Sequence, residues 1–120
     1  MTQPPLTLRI RTAPAGAVVE LAGELDHQTA PGVRAALPGL ELLPGQQLVL
    51  DLGGVEFCDS SGITVLIAAR NHALAAGAGI ALAAVPEHVS RIFRVVGLDQ
   101  VFPAHPTARA AEAAWRSTAS

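Results

Sequence analysis

The 120-residue chain has no lysine, no tyrosine and one cysteine, and only 3% of it is aromatic: Phe57, Phe93, Phe102 and Trp115. Without lysine there is no Gly-x-x-x-x-Gly-Lys-Ser/Thr loop, so that route to a nucleotide phosphate is excluded. The eight basic residues are all arginine, and the formal net charge is −2 with a pI near 6.0. Such a chain is a poor counterion for a phosphate backbone, so nucleic acid is not an expected partner. The single Cys58 excludes a disulfide framework and a Cys-rich zinc site; set in an apolar run, it reads as a small buried hydrophobe. His27, His72, His88 and His105 are scattered without His-x-x-x-His spacing, so neither a metal nor a cofactor is expected.

Half of the residues are hydrophobic and the mean hydropathy is +0.39, which excludes intrinsic disorder and calls for an aliphatic core. The length suits one domain. Met1-Thr2-Gln3-Pro4-Pro5 lacks the basic start and apolar stretch of a signal peptide, so the expected compartment is the cytoplasm. Residues 63–85 are long and apolar enough to prompt a membrane check. Arg70, Asn71 and His72 fall near the middle, and an Arg there costs roughly 2.5–3.5 kcal/mol on insertion scales. Gly77 and Gly79 divide the stretch into a helix-like and a strand-like half, so no direct membrane insertion is expected.

Residues 6–10 (LTLRI) alternate with period two and predict a strand. Pro14-Ala15-Gly16 supplies a turn, and 17–25 (AVVELAGEL) predicts its hairpin partner. Thr29 is placed to cap a short helix with Pro31 in its first turn, carrying Val33, Ala36, Leu37 and Leu40 on one face and interrupted by Pro38-Gly39. Residues 47–52 (QLVLDL) predict a strand that continues through 55–58 towards a loop. Ser60-Ser61-Gly62 opens a helix running to about residue 76, with Ile63, Leu66, Ile67 and Leu74 on one face and His72 at the surface. Residues 80–85 are wholly apolar, as in an interior parallel strand. Pro86-Glu87 begins a helix ended by Gly97; its segment Arg91-Ile92-Phe93-Arg94 reads as an amphipathic face. Val101-Phe102 predicts a short final strand, and 107–115 a closing helix docked by Trp115. Strands alternating with helices give an α/β class, with a mixed, mostly parallel sheet of four to five strands and about four helices.

In open α/β sheets functional groups gather where strands end and helices begin. Two polar clusters occupy such places: Gly23-Glu24-Leu25-Asp26-His27, and Cys58-Asp59-Ser60-Ser61-Gly62. If the two preceding strands are parallel neighbours, both clusters share one edge of the sheet. A helix start leaves N–H groups unpaired and carries partial positive charge. A serine there serves as a cap or as a phosphoacceptor, whose phosphate the oriented amides would receive. Spacing alone leaves both readings open. Asp26 likewise fits either a turn former or a partner contact, and His27 a solvated loop residue.

The chain resembles the STAS-domain family of anti-sigma factor antagonists. The likeness is carried by Gly23-Glu24-Leu25-Asp26 before a short helix, by Val49-Leu50-Asp51-Leu52, and by Val55-x-Phe57-x-Asp59-Ser60-Ser61-Gly62-Ile63. Ile92-Phe93 and Gly97-Leu98 follow in order. The resemblance implies one STAS-like domain over residues 6–116, with residues 1–5 disordered and 117–120 a tail. It implies a protein that is not an enzyme but a switch. Unmodified, it binds an anti-sigma factor that is also a Ser/Thr kinase; phosphorylation of Ser60 releases it, and a phosphatase acting on phospho-Ser60 restores it, so that transcription is regulated. The implied partner-binding residues are Asp26, His27, Asp59, Ser61, Gly62 and Thr64, whereas Asp51 matches a strand position of structural use. Cys58 and Thr64 depart from the family pattern, which commonly has a larger apolar residue at the first position and a small one at the second. Two alternatives remain: a scaffold subunit of a membrane transport complex such as a lipid ABC system, which would use the same surface with Ser60 as a cap only, and a structural member of a large stress-sensing assembly. Catalysis finds no independent support, since Asp59-Ser60-Ser61-Gly62 is not a Gly-x-Ser-x-Gly nucleophile elbow.

Overall fold

The computed structural model describes residues 4–115. Residues 1–3 of the expected N-terminal segment and the expected tail at 117–120 lie outside the described residues, as does residue 116.

A two-residue turn at Pro14-Ala15 joins β1 (Leu6–Ala13) to β2 (Gly16–Leu25), paired antiparallel from Leu6 opposite Gly23 to Ala13 opposite Gly16. The chain then forms α1 (Ala30–Ala36), a 3-10 turn at Leu37–Gly39, and β3 (Gln47–Cys58). Next come α2 (Ser60–Ala75), β4 (Gly79–Ala83), α3 (Glu87–Val96), β5 (Ala104–His105) and α4 (Ala108–Ala114). The sheet order is β1-β2-β3-β4-β5, and every pairing after the first is parallel. The crossover helices required by parallel neighbours are α1, α2 and α3.

Side chains alternate across the sheet. Val19 and Leu21 of β2, with Leu48, Leu50 and Leu52 of β3, face Val33, Leu37, Val65, Leu66, Val89 and Phe93 in the main core. Val18, Val49, Ala81 and Ala83 point the other way, under Ala108 and Ala111 of α4. That second layer is thin, and its clamp is Trp115, whose indole N–H donates to the Gly45 carbonyl at 3.0 Å. Thr107 caps α4 by accepting the Ala110 N–H at 3.0 Å, and Gly97 ends α3 in the left-handed region at φ 79°.

Several expectations are corrected. The final strand is Ala104–His105, not Val101-Phe102. Phe102 instead plugs the core, stacked on Phe93 at 6.1 Å between ring centroids, and an aromatic serving as a plug is not free to extend along a sheet edge. β1 runs to Ala13 because the hairpin pairs Arg11 and Thr12 as well. On α2 the buried line is Gly62, Val65, Leu66, Ala69 and Ala73. Small residues there admit close approach to the sheet, which leaves Ile63 and Ile67 half-buried and Leu74 exposed. His72 is half-buried, with Nε2 3.5 Å from the Leu40 carbonyl.

Candidate functional site

β2 and β3 end side by side, Leu25 opposite Cys58, so the two polar clusters share one sheet edge as their strand positions require. The chain leaves β3 at Asp59, whose backbone N–H donates to the Leu25 carbonyl at 3.2 Å, tying the start of α2 to the end of β2. The Asp59 carboxylate caps the helix: Oδ1 accepts the Ser61 N–H at 2.8 Å and the Gly62 N–H at 3.1 Å. The cap is therefore Asp59, and Ser60 is the first residue of the helix, exposed at the surface. Of the two readings of the serine pair, the cap is thereby corrected: neither serine serves as the cap of α2. The Asp59 cap also changes the expected chemistry, because two amides that would have received a phosphate already hold a carboxylate.

Gly62 is buried. An added Cβ would lie 2.5 Å from the Leu25 carbonyl oxygen and 2.9 Å from the Cys58 sulfur; glycine is what allows α2 to sit this close to the two strand ends. Its place is beneath the edge, where it positions the residues around it. Ser61 is half-buried. Thr64 is exposed one turn along from Ser60, and its hydroxyl donates to the Ser60 carbonyl at 2.9 Å. Cys58 is buried; burial, and to a lesser extent the neighbouring Asp59 carboxylate, push its thiol up to about 11. A thiol held protonated in this way is a packing element and a poor nucleophile.

In the neighbouring loop, Asp26 Oδ1 accepts the N–H groups of Gln28 at 3.0 Å and Thr29 at 3.1 Å. Thr29 stands at the cap position of α1 without making the cap bond. Its hydroxyl donates instead to the Glu24 carbonyl at 2.8 Å and accepts the Asp26 N–H at 3.0 Å. Asp26 is thus a turn former. His27 is exposed at the rim of a shallow hollow between α1 and α2, lined also by Arg34, Ser61 and Thr64. Of the residues expected at the site, His27, Ser61 and Thr64 meet at this hollow, and Asp59, Ser60 and Thr64 meet at a second depression.

That second depression is an apolar groove of about 420 Å³ between α2 and α3, lined by Ile63, Ile67, Ile92, Val96 and Leu98, with Asp59 and Ser60 at its head. Sequence reasoning missed the groove and Arg34. The available signal was a pair of i, i+4 apolar positions on each helix, Ile63 with Ile67 and Ile92 with Val96, facing each other across the connection. Among the described residues, no three His, Cys, Asp or Glu side chains cluster as metal ligands. None of the described helices is long and apolar enough to cross a membrane.

The family model described as "Mlab, STAS domain" matches residues 8–103. The anti-sigma-B factor antagonist of Listeria monocytogenes is 31% identical over 81 residues, covering 68% of this chain and 71% of its own. The anti-sigma F factor antagonist of Paenibacillus polymyxa is 31% identical over 87 residues, covering 72% and 74%. Among solved structures, an anti-sigma factor antagonist from Mycobacterium paratuberculosis superposes with a TM-score of 0.79 at 28% identity, covering 96% of this chain and 98% of its own. SpoIIAA in its unphosphorylated form shares the fold, with a TM-score of 0.71 at 20% identity over 89% and 95% of the two chains. The five-stranded mixed sheet and the match over residues 8–103 thus place the chain among STAS domains. The chain belongs to the STAS-domain anti-sigma factor antagonist family, a family of regulatory binding proteins and not of enzymes.

Proposed function

We propose that the chain is a cytoplasmic anti-sigma factor antagonist that binds a kinase-type anti-sigma factor while Ser60 is unmodified. Phosphorylation of Ser60 by that kinase releases it, and a phosphatase restores binding. The observation that carries this reading is the exposure of Ser60 at the first position of α2. Its hydroxyl stands on a rigid frame made by the Asp59 cap, the Asp59-to-Leu25 bond and Gly62. Relatives named as anti-sigma factor antagonists support the partner class, and the partner face comprises Asp26, His27, Asp59, Ser61 and Thr64, with Gly62 as its support.

The release step follows from charge. Two unit charges about 4 Å apart at an effective dielectric near 20 interact by roughly 4 kcal/mol. One partner carboxylate facing the new phosphate therefore weakens binding on the order of a thousandfold. The test is incubation with ATP, Mg²⁺ and candidate anti-sigma kinases of the source cell, each purified singly, followed by intact-mass and fragment analysis. Ser60→Ala is expected to bind and to accept no phosphate, and Ser60→Asp to bind weakly. Phosphorylation of Ser60→Ala at the unmodified chain's rate contradicts the assignment.

The matched model's own description, which names Mlab and not an antagonist, favours a second reading: a STAS scaffold subunit of a membrane transport complex. A pull-down from native lysate separates the two. Recovery of an ABC ATPase, with no kinase and no phosphoserine, supports the scaffold and contradicts the switch.

A further inference from the structure

The start of α2 has three amide groups that the helix itself leaves unpaired, those of Ser60, Ser61 and Gly62, since the Ile63 N–H already bonds the Asp59 carbonyl at 3.1 Å. Asp59 Oδ1 holds the Ser61 and Gly62 amides at 2.8 and 3.1 Å. The Asp59 N–H is itself spent on the Leu25 carbonyl at 3.2 Å, which fixes the backbone from which that carboxylate reaches. The Thr64 hydroxyl, one turn along, is turned to the Ser60 carbonyl at 2.9 Å. A group added to the Ser60 oxygen therefore meets a helix start whose positive end is already neutralised by a carboxylate. Helix starts ordinarily absorb phosphate; at this one two of the three unpaired amides already hold a carboxylate, and the Ser60 N–H is the one left.

We infer that Asp59 is a positioning residue for the switch: by occupying the Ser61 and Gly62 amides it denies them to a phosphate on Ser60 and holds that phosphate outward as a full charge. The inference rests on Ser60 being the modified residue and adds what decides where its phosphate points. Were the amides vacant, they would draw the dianion against the helix, partly neutralise it and blunt its effect on a docked neighbour. The ionisable groups near the position are Asp59 itself and Asp26, which follows the β2 end paired with Cys58, with His27 and Arg34 lining the same hollow as Ser61 and Thr64. On the α3 side the groove is lined by Ile92, Val96 and Leu98, which carry no charge. Asp59 is thus the carboxylate bound to the helix start, and the Arg34 guanidinium belongs to the hollow between α1 and α2.

The experiment uses the full chain with phosphoserine installed at position 60 by genetic encoding, so it does not depend on finding the kinase. Phosphorus NMR follows the second ionisation of the phosphate, ordinarily near pKa 6, while proton–nitrogen spectra follow the Ser61 and Gly62 amides. In the unaltered chain the ionisation is expected above that value by about half to one unit, as one nearby carboxylate dictates, with the two amides not following the phosphate titration. Asp59→Asn keeps a good cap but removes the charge, and is expected to bring the value down by a similar amount. Asp59→Gly leaves a residue tolerated at the cap position and frees both amides. There the ionisation is expected below 6 and both amides are expected to shift downfield in step with it. Amides that follow the phosphate in the unaltered chain, or ionisations equal in all three proteins, overturn the inference. Failure of the switch reading looks different: the installed phosphate leaves partner affinity unchanged while these spectra behave as described.

Discussion

Replacing Gly62 with alanine puts a methyl group 2.5 Å from the Leu25 carbonyl oxygen, with the Cys58 sulfur and the Leu25 Cγ each at 2.9 Å. The first of these is backbone and cannot rotate away, so α2 must back off from the end of β2 and strain the Asp59-to-Leu25 bond. Overpacking of this kind costs about 1–3 kcal/mol, which a chain of this size shows as a fall in Tm of roughly 4–12 °C. Gly32, in α1, provides the matched control, since an added Cβ there meets nothing within 4 Å. Gly32→Ala is expected to stabilise by about 0.4–1 kcal/mol through the unfolded chain and helix propensity. Urea unfolding of both variants reads the two signs side by side. Because Gly62→Ala shifts the frame that presents Ser60, the proposed phosphorylation of Ser60 should slow with it. A Gly62→Ala variant as stable as Gly32→Ala refutes the view that this glycine permits the close approach of helix and strands.

Asp59→Ala removes a cap that holds two amides and is expected to cost about 1 kcal/mol, measured by the same unfolding curves. Gly79→Ala drives a methyl group into the Trp115 ring, 2.4 Å away, so the emission of this lone tryptophan should shift to the red as its clamp on Gly45 opens. Burial raises the Cys58 thiol from 9.0 to about 11, so the folded state retains its proton where the unfolded chain loses it. Its contribution to stability is full below about pH 9 and is lost as pH rises through about 11. Unfolding free energy measured between pH 8 and 11 should decline in the unaltered chain and decline less in Cys58→Ala. At pH 8 the Cys58 thiol should resist alkylation until the chain is unfolded.

The sequence carried most of the architecture because periodicity is strong where burial is one-sided or complete. The parallel neighbours β2 and β3 follow from two apolar runs separated by a helix, and their adjacency brings Asp26 and Asp59 to one edge. The start of α2 is legible from Asp59-Ser60-Ser61-Gly62, and the role proposed for it comes from family likeness. What stayed hidden depends on contacts that no local pattern records. Phe102 reads as a strand residue until Phe93 is known to lie beneath it. Leu74 reads as core until the alanines at 69 and 73 are seen to bring α2 down on a different line. Thr29 looks like a cap, yet its hydroxyl bridges Glu24 and Asp26. The occupation of the α2 amides by Asp59, and not by a serine, depends on side-chain geometry that spacing leaves open.

Affinity for the proposed partner, an anti-sigma factor kinase, measured by titration calorimetry with bare chain and with chain verified by mass to carry one phosphate on Ser60, tests the switch most directly. Tight binding of the bare form and a loss on the order of a thousandfold on phosphorylation is the expected result. Equal affinities for the two forms would contradict it.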